Sequence, residues 1–363
     1  MKKDLVELLR SMNAVAGEDI SNNFSQPYWI YPPSPEPSTS GWTIKRISGG
    51  ITNDLYLVNH DTVKIGCEGE GVLIRLFGAE GLINRDNETS AYACLCDDSV
   101  AYKYLGRFGT PPNAGGGRIE GFLKGYAPLE KEDFADPETS ASIALEMCKV
   151  HNFTPNDLLK VVFGAESNLF PELATWLGNA KEAVEKGTFK TQEDNERAIK
   201  LNVDAVGEAI EKFKQQLSEF PSPPQIAFCH NDLLAANIMR NKDKTIKLID
   251  FEYGGMNYIC FDIANHFNEF AGGTDDSKPD YSLLPNIEQK TKFIKTYVDA
   301  KVAPDCGEEE REEMVNILLG QVGVFEQLNH CYWGLWGVNQ GNTEGTGEFD
   351  YLNYAKARFG ELK

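Results

Sequence analysis

The chain has no lysine- or arginine-rich block, and its 55 acidic residues against 35 basic ones leave a net charge of -20. Nucleic acid and anionic membrane surfaces are therefore poor partners, whereas the overall field favours a small cation. No run approaches 18 uncharged apolar residues, and the opening MKKDLVELLRSM is too charged for a signal peptide. Neither stable membrane insertion nor secretion is expected. None of the eight cysteines (67, 94, 96, 148, 229, 260, 306 and 331) forms a CxxC pair, and several lie in apolar runs such as AFCH and MCKVH. They read as reduced thiols of a cytoplasmic protein rather than as a disulfide framework or a zinc site. The GxGxxG loop is also missing. What remains is an ordinary globular composition, 41% hydrophobic and 25% charged, long enough for one large domain or two lobes.

The most informative stretch is IAFCHNDLLAANIMRNKDKTIKLIDFEY, residues 226–253. An apolar strand at Ile226–Phe228 leads into the polar turn His230-Asn231-Asp232, and a second strand at Ile246–Ile249 ends in Asp250. Asn237 follows Asp232 by five residues. A carboxylate, an amide at +5 and a strand-ended carboxylate are the set that phosphoryl transfer needs, one to accept a hydroxyl proton and two to hold Mg2+ against phosphates. The competing reading is a plain hairpin connection, since Asn and Asp are common turn residues.

Residues 3–13 have the spacing of an amphipathic helix, and QPYWIYPPSPEPSTSG after them is extended or irregular, its Tyr28, Trp29 and Tyr31 suited to docking on a surface. Two alternating strands, WTIKRI and DLYLVNH, flank the turn Ser48-Gly49-Gly50-Ile51-Thr52-Asn53. That turn fits an ordinary hairpin and equally a phosphate-covering loop, with backbone N–H groups free to approach an anion. The third strand, 72–77, carries Arg75 in an apolar run. A cation there requires an anionic partner, either nucleotide phosphates or Glu88 on a helix over 84–95, unless it snorkels from an edge. Two further strands around a glycine-rich turn lead to a hinge where the backbone at Gly121, Phe122 and Leu123 could meet adenine, and a boundary falls near residue 125. The expected organisation is thus 1–40 as an extension, 41–125 as a nucleotide-binding lobe and 126–363 as a catalytic lobe.

The C-terminal part reads as helical over 137–150, 171–186, 192–218, 261–270, 287–300 and 307–320. His151 reads as a capping or core histidine. Asp262, His266 and Glu269 fall on one helix face, either solvated or turned to a ligand; Glu269 could meet a cationic substrate and Asp262 could brace the catalytic loop. Trp333 and Trp336, three apart, suit a core or a cation site, because an ammonium over an indole gains about 0.5–2 kcal/mol.

In order along the chain, FCHNDLLAANI, IDFEYGGMNY, FDIANHFNEF, YWGLW and EFDYLNYAKARF resemble the motifs of the choline/ethanolamine kinase family, over residues 42 to the end. GITN at 50–53, NRD at 84–86, Leu233-Leu234 and HFNEFAG at 266–272 are more similar to its ethanolamine kinases. The resemblance implies an α+β, two-lobed kinase-like fold of the choline kinase and aminoglycoside phosphotransferase type. It also implies ATP and Mg2+ as cofactors and phosphorylation of an amino-alcohol hydroxyl, the first step towards phosphatidylethanolamine or phosphatidylcholine.

Carried over by motif, Asp232 would be the base or the hydroxyl-orienting carboxylate, and Asn237 and Asp250 the metal ligands. Arg75 and Glu88 would form the phosphate-side ion pair, and Ser48 to Asn53 the loop over the phosphates. Glu252, Tyr253, Glu269, Trp333, Trp336 and Tyr354 would surround the amine. DFE stands where protein kinases have DFG, with no activation loop after it, so control by loop phosphorylation is not expected. The segment GNTEGTGEF at 341–349 is glycine-rich and one residue longer than the pattern, which bears on where Tyr354 sits. Ethanolamine is the expected substrate and choline the alternative; a kinase of another small cation or aminoglycoside, and a catalytically silent binding protein, are the remaining readings. The oligomeric state is not encoded in any motif, and a homodimer is compatible with all of these readings.

Overall fold

A computed structural model describes residues 41–47, 53–62, 65, 71–77, 85–97, 99–108, 116–274, 276–345, 347 and 349–363. The helix expected over 3–13, the Pro/Ser-rich segment after it and Ser48, Gly49, Gly50 and Thr52 lie outside these residues. The chain forms two compact units that divide after Gly125.

The first unit is an antiparallel sheet of β1 (Trp42–Ile47), β2 (Asn53–His60), β3 (Val72–Phe77), β4 (Tyr104–Phe108) and β5 (Gly117–Gly121), with α1 (Arg85–Asp97) between β3 and β4. The strand order is β1-β2-β3-β5-β4. Period-2 alternation places Tyr56 and Val58 of β2 with Val72 and Ile74 of β3 in one apolar cluster, closed by Trp42, Leu76, Leu105, Phe108 and Ile119. Arg75, one residue out of phase, is also buried.

The second unit contains β6 (Tyr126–Pro128), α2 (Pro137–Asn152), α3 (Asp157–Phe163), α4 (Leu169–Lys186), α5 (Gln192–Ile199), α6 (Val203–Ser218), β7 (Ile226–Cys229), β8 (Ile238–Asn241), β9 (Ile246–Leu248) and β10 (Gly255–Tyr258). It ends with α7 (Ile259–Asn268), α8 (Ile287–Lys301), α9 (Glu308–Glu344) and α10 (Tyr351–Phe359). Two small antiparallel sheets, β6-β8-β9 and β7-β10, hold the central stretch, and helices pack around them. Among the described residues no helix is long and apolar enough to cross a membrane.

Two helical expectations are corrected. The helix expected over 192–218 is two helices, because the amides of Lys200, Leu201 and Asn202 each bond a carbonyl three residues back and Asn202 turns to φ 51. Asn tolerates this left-handed geometry through its short polar side chain. The break re-phases the apolar stripe, leaving Ile199 exposed and burying Val203, Val206, Ile210, Phe213 and Leu217. The helix expected over 307–320 instead runs 37 residues, as α9, through both tryptophans. Its glycines mark close approaches: a Cβ on Gly334 would lie 2.1 Å from the Phe359 ring, and one on Gly337 would lie 2.9 Å from the Tyr351 carbonyl oxygen. Glycine there lets α10 lie directly on α9.

Candidate active site

The turn after β7 is held from beneath by one carboxylate. Asp262 of α7 accepts the His230 amide at 2.8 Å on Oδ2 and the Asn231 amide at 2.7 Å on Oδ1. Asn231 sits at φ 66, a conformation that needs such external support. Its own side chain donates to the Tyr253 carbonyl and accepts from Asn257, both at 2.8 Å. Burial would raise the Asp262 carboxyl, but His151, whose Nε2 is 2.9 Å away, outweighs this and holds it below the usual range. His151 also meets the Tyr297 hydroxyl, so the residue read as a cap or core histidine is one link in the support of the loop. His230 donates from Nε2 to the Ile249 carbonyl and accepts the Asp232 amide on Nδ1, and burial lowers its basicity.

These bonds place Asp232 against Asn237, whose Nδ2 donates to the Asp232 carbonyl at 2.9 Å and to its Oδ2 at 3.1 Å. Asn237 closes a single 3-10 turn, and its carbonyl accepts the Ile249 amide, which fixes the start of Asp250. Asp250 has φ 64, so this carboxylate leaves its strand through a left-handed residue. The Asp232 carboxyl is pushed well above the usual range, first by burial and then by the negative charges of Glu269, Glu252 and Asp250. Three carboxylates thus act on Asp232, an arrangement that favours a cation beside it.

The aromatic residues nominated for the amine are brought together. Trp336 donates its indole N–H to the Tyr253 hydroxyl at 2.9 Å. The Tyr253 ring lies 5.1 Å from Trp333, Trp333 lies 5.6 Å from Trp336, and Trp336 lies 6.0 Å from Tyr354, all edge to face. Tyr354 thus joins the set despite the long glycine-rich segment before it. Glu269 is buried and bonded to Arg358 of α10. The third member of its helix stripe, His266, is not solvated: it is buried among Phe134, Phe267, Phe270 and Phe293, beside the Leu233 backbone of the catalytic loop, and burial lowers it to about 4.

In the first unit, Arg75 donates Nε to Glu120 at 2.9 Å, while Glu88 takes Arg118 at 2.6 Å and Arg85 at 2.9 Å. Arg118 also reaches Glu120, so Arg75 and Glu88, expected as a pair, are joined through these two residues. The register explains why Glu120 is needed: Arg75 and Arg118 face each other across β3 and β5, where like charges repel. Burial would raise the Glu120 carboxyl, yet Arg75 and Arg118 bring it down to about 2. Arg118 also stacks 4.3 Å from the Tyr92 ring centroid. Gly121 ends β5, where a Cβ would lie 2.8 Å from Tyr102; Phe122 is half-buried and Leu123 buried.

Sequence reasoning missed Arg118, Glu120 and Arg358. The first two have a local signal, since i and i+2 of RIEG share one strand face. Arg358 has only the charge-bearing ARF in an amphipathic helix, a pattern more common at the surface.

The family model for choline/ethanolamine kinase matches residues 44–363. The probable ethanolamine kinase A of Dictyostelium discoideum is 33% identical over 320 residues, covering 87% of this chain and 83% of the relative. The probable choline kinase 3 of Arabidopsis thaliana is 30% identical over 323 residues, covering 87% and 84%. Among solved structures, an ethanolamine kinase of Plasmodium vivax aligns with a TM-score of 0.73 at 29% identity, covering 88% of this chain and 81% of that one. The α+β architecture, an antiparallel sheet in the first unit and a largely helical second unit, agrees with this likeness. The chain belongs to the choline/ethanolamine kinase family, and is a kinase with an alcohol group as acceptor.

Proposed function

We propose that the protein transfers the γ-phosphoryl group of ATP to the hydroxyl of ethanolamine, giving phosphoethanolamine and ADP. The observation that carries this reading is the Asp232–Asn237 contact in the same unit as buried Glu269 and the clustered Tyr253, Trp333, Trp336 and Tyr354 rings. The hydroxyl oxygen attacks phosphorus in line, the bond to the ADP oxygen breaks, and the hydroxyl proton passes to Asp232.

Asn237 and Asp250 would hold Mg2+. The Nδ2 of Asn237 is occupied by Asp232, which leaves Oδ1 as the atom that would ligate the ion, and an amide oxygen with carboxylates is a hard oxygen set suited to it. When bound, the ion neutralises charge developing on the transferred phosphoryl group. In the first unit, Arg75 with its network to Glu88 would serve the phosphates, the loop Ser48 to Asn53 would cover them, and the backbone at Gly121, Phe122 and Leu123 would meet adenine.

A primary ammonium needs hydrogen-bond acceptors, and Glu269 and Glu252 supply them. Choline is the second reading, favoured by the four aromatic rings, since a quaternary ammonium binds through ring faces. Measuring kcat/KM for ethanolamine and for choline with ATP and Mg2+ tests the reading. A higher value for ethanolamine supports it, a higher one for choline replaces it with the second, and no turnover of either overturns both. A cytoplasmic location and a homodimer stay part of this proposal; the high acidic content favours a cationic substrate in either case.

A further inference from the structure

Arg358 is almost fully buried, 1% exposed, at the C-terminal end of α10. Its Nη2 bonds Glu269 Oε1 and also donates to the Tyr354 hydroxyl at 2.7 Å, and its Nε donates to the same hydroxyl at 3.0 Å. The guanidinium carbon lies 5.1 Å from the Tyr354 ring centroid. On the far side, Nη1 reaches Asn329 Oδ1 of α9 at 3.5 Å, and that oxygen accepts Asn268 at 2.9 Å. One side chain thus ties together α10, α9 and the 3-10 turn Glu269–Ala271. Tyr281 and His330 also feel the Arg358 charge, Glu361 acting on the first and Lys363 on the second, and Glu269 in turn acts on Asp232 of the catalytic loop.

A buried ion pair is weak as a source of stability, because two desolvated charges often do no better than apolar residues of the same volume. The reason for this one lies in what it orders. Both groups that Arg358 holds, Glu269 and Tyr354, belong to the amine site. The Tyr354 oxygen accepts two N–H bonds from one guanidinium, which occupies it as an acceptor and leaves the ring as its contribution to the site. Glu269 gives one oxygen to Arg358, and among the described residues its Oε2 takes no hydrogen bond. The two oxygens of one carboxylate are thereby divided between a fixed cation and a place for a mobile one.

We propose that Arg358 is the positioning residue of the amine site, setting Glu269 Oε2 as the ammonium acceptor and Tyr354 as a ring-face contact. This rests on the reading that the site takes an amino alcohol. A lysine keeps the charge but cannot make the forked set of bonds, so Arg358→Lys and Arg358→Met separate charge from geometry.

The test compares wild type, R358K, R358M, Y354F and R358M/Y354F with ethanolamine and choline, measuring the KM of the amine, the KM of ATP and kcat. Amine binding is followed separately, without turnover, by the fluorescence of the five tryptophans, of which Trp333 and Trp336 line the amine site. The expected result is an amine KM raised about tenfold or more in R358M and less in R358K, with the KM of ATP within about twofold of wild type. Y354F added to R358M should cost little more, because the hydroxyl loses its partner with the arginine. An unchanged amine KM and fluorescence titration in R358K and R358M overturns the proposal while the kinase reading stands. A parallel loss in amine KM, ATP KM and kcat in the soluble R358K protein also overturns it, since that is the mark of general disorder. If wild type phosphorylates neither amine, the amino-alcohol reading fails and this proposal falls with it.

Discussion

His151 Nε2 and Asp262 Oδ2 stand 2.9 Å apart in the interior, and the carboxylate they define accepts both backbone amides at the start of the catalytic turn. Replacing Asp262 with Asn puts an NH2 group where one of those amides needs an acceptor. The expected cost is about 2–4 kcal/mol of stability, from an unsatisfied buried donor and the loss of the carboxylate partner of His151. A urea titration checks it, and kcat should fall with the misplaced Asp232. Undiminished stability and activity would show that the brace is dispensable.

Asp232→Asn keeps the shape and the contact with Asn237 but removes the proton acceptor. Turnover should drop by about 10²–10⁴-fold while the thermal midpoint stays near that of wild type. Asp250→Ala should be at least as severe, and a chelator should stop the wild-type enzyme until Mg2+ is restored. Coupled measurement of ADP release reads all three.

Trp336→Phe keeps a ring beside Trp333 and Tyr354 but loses the N–H bond to the Tyr253 hydroxyl. The KM of the amine should rise about three- to tenfold, as for a weakened cation–π set, with the KM of ATP unchanged. A change confined to the ATP side would remove Trp336 from the amine site.

Glu120 carries a pH signature. Its carboxyl lies at about 2 in the fold against an ordinary 4.5, so it is deprotonated in the fold at pH values where the unfolded chain has begun to take up a proton. A depressed folded value means its stabilisation is complete above about pH 5 and is lost as pH falls towards 2, on the order of 3 kcal/mol in all. Glu120→Gln should therefore be most destabilising near neutral pH, and the gap to wild type should close as pH falls. Chemical denaturation of both proteins from pH 7 to pH 3 measures it; a gap independent of pH would contradict the ion-pair account.

Local patterns carry a good part of this structure. The apolar run VLIRLF places β3 at Val72–Phe77, and Ile226 and Ile246 start strands as their apolar runs suggest. Asp262 as a brace is also legible, because it stands seven residues before Glu269 on an apolar helix. The break at Asn202 is not legible, since strong helix formers flank it on both sides and only the packing of Val203 and Val206 requires the change of phase. Nor is the length of α9, whose glycines read as interruptions until Phe359 and Tyr351 are seen to occupy the space they leave.

The sequence by itself determined the catalytic spacing, Asp232 to Asn237 to Asp250, because a turn, one 3-10 turn and a hairpin of two short strands set those distances within a short length of chain. Tertiary structure alone decided which charges meet. Arg75 finds Glu120 45 residues away, and Glu269 finds Arg358 89 residues away. Such pairs are chosen by strand register and by the close approach of two helices at Gly334 and Gly337, and neither leaves a period in the sequence.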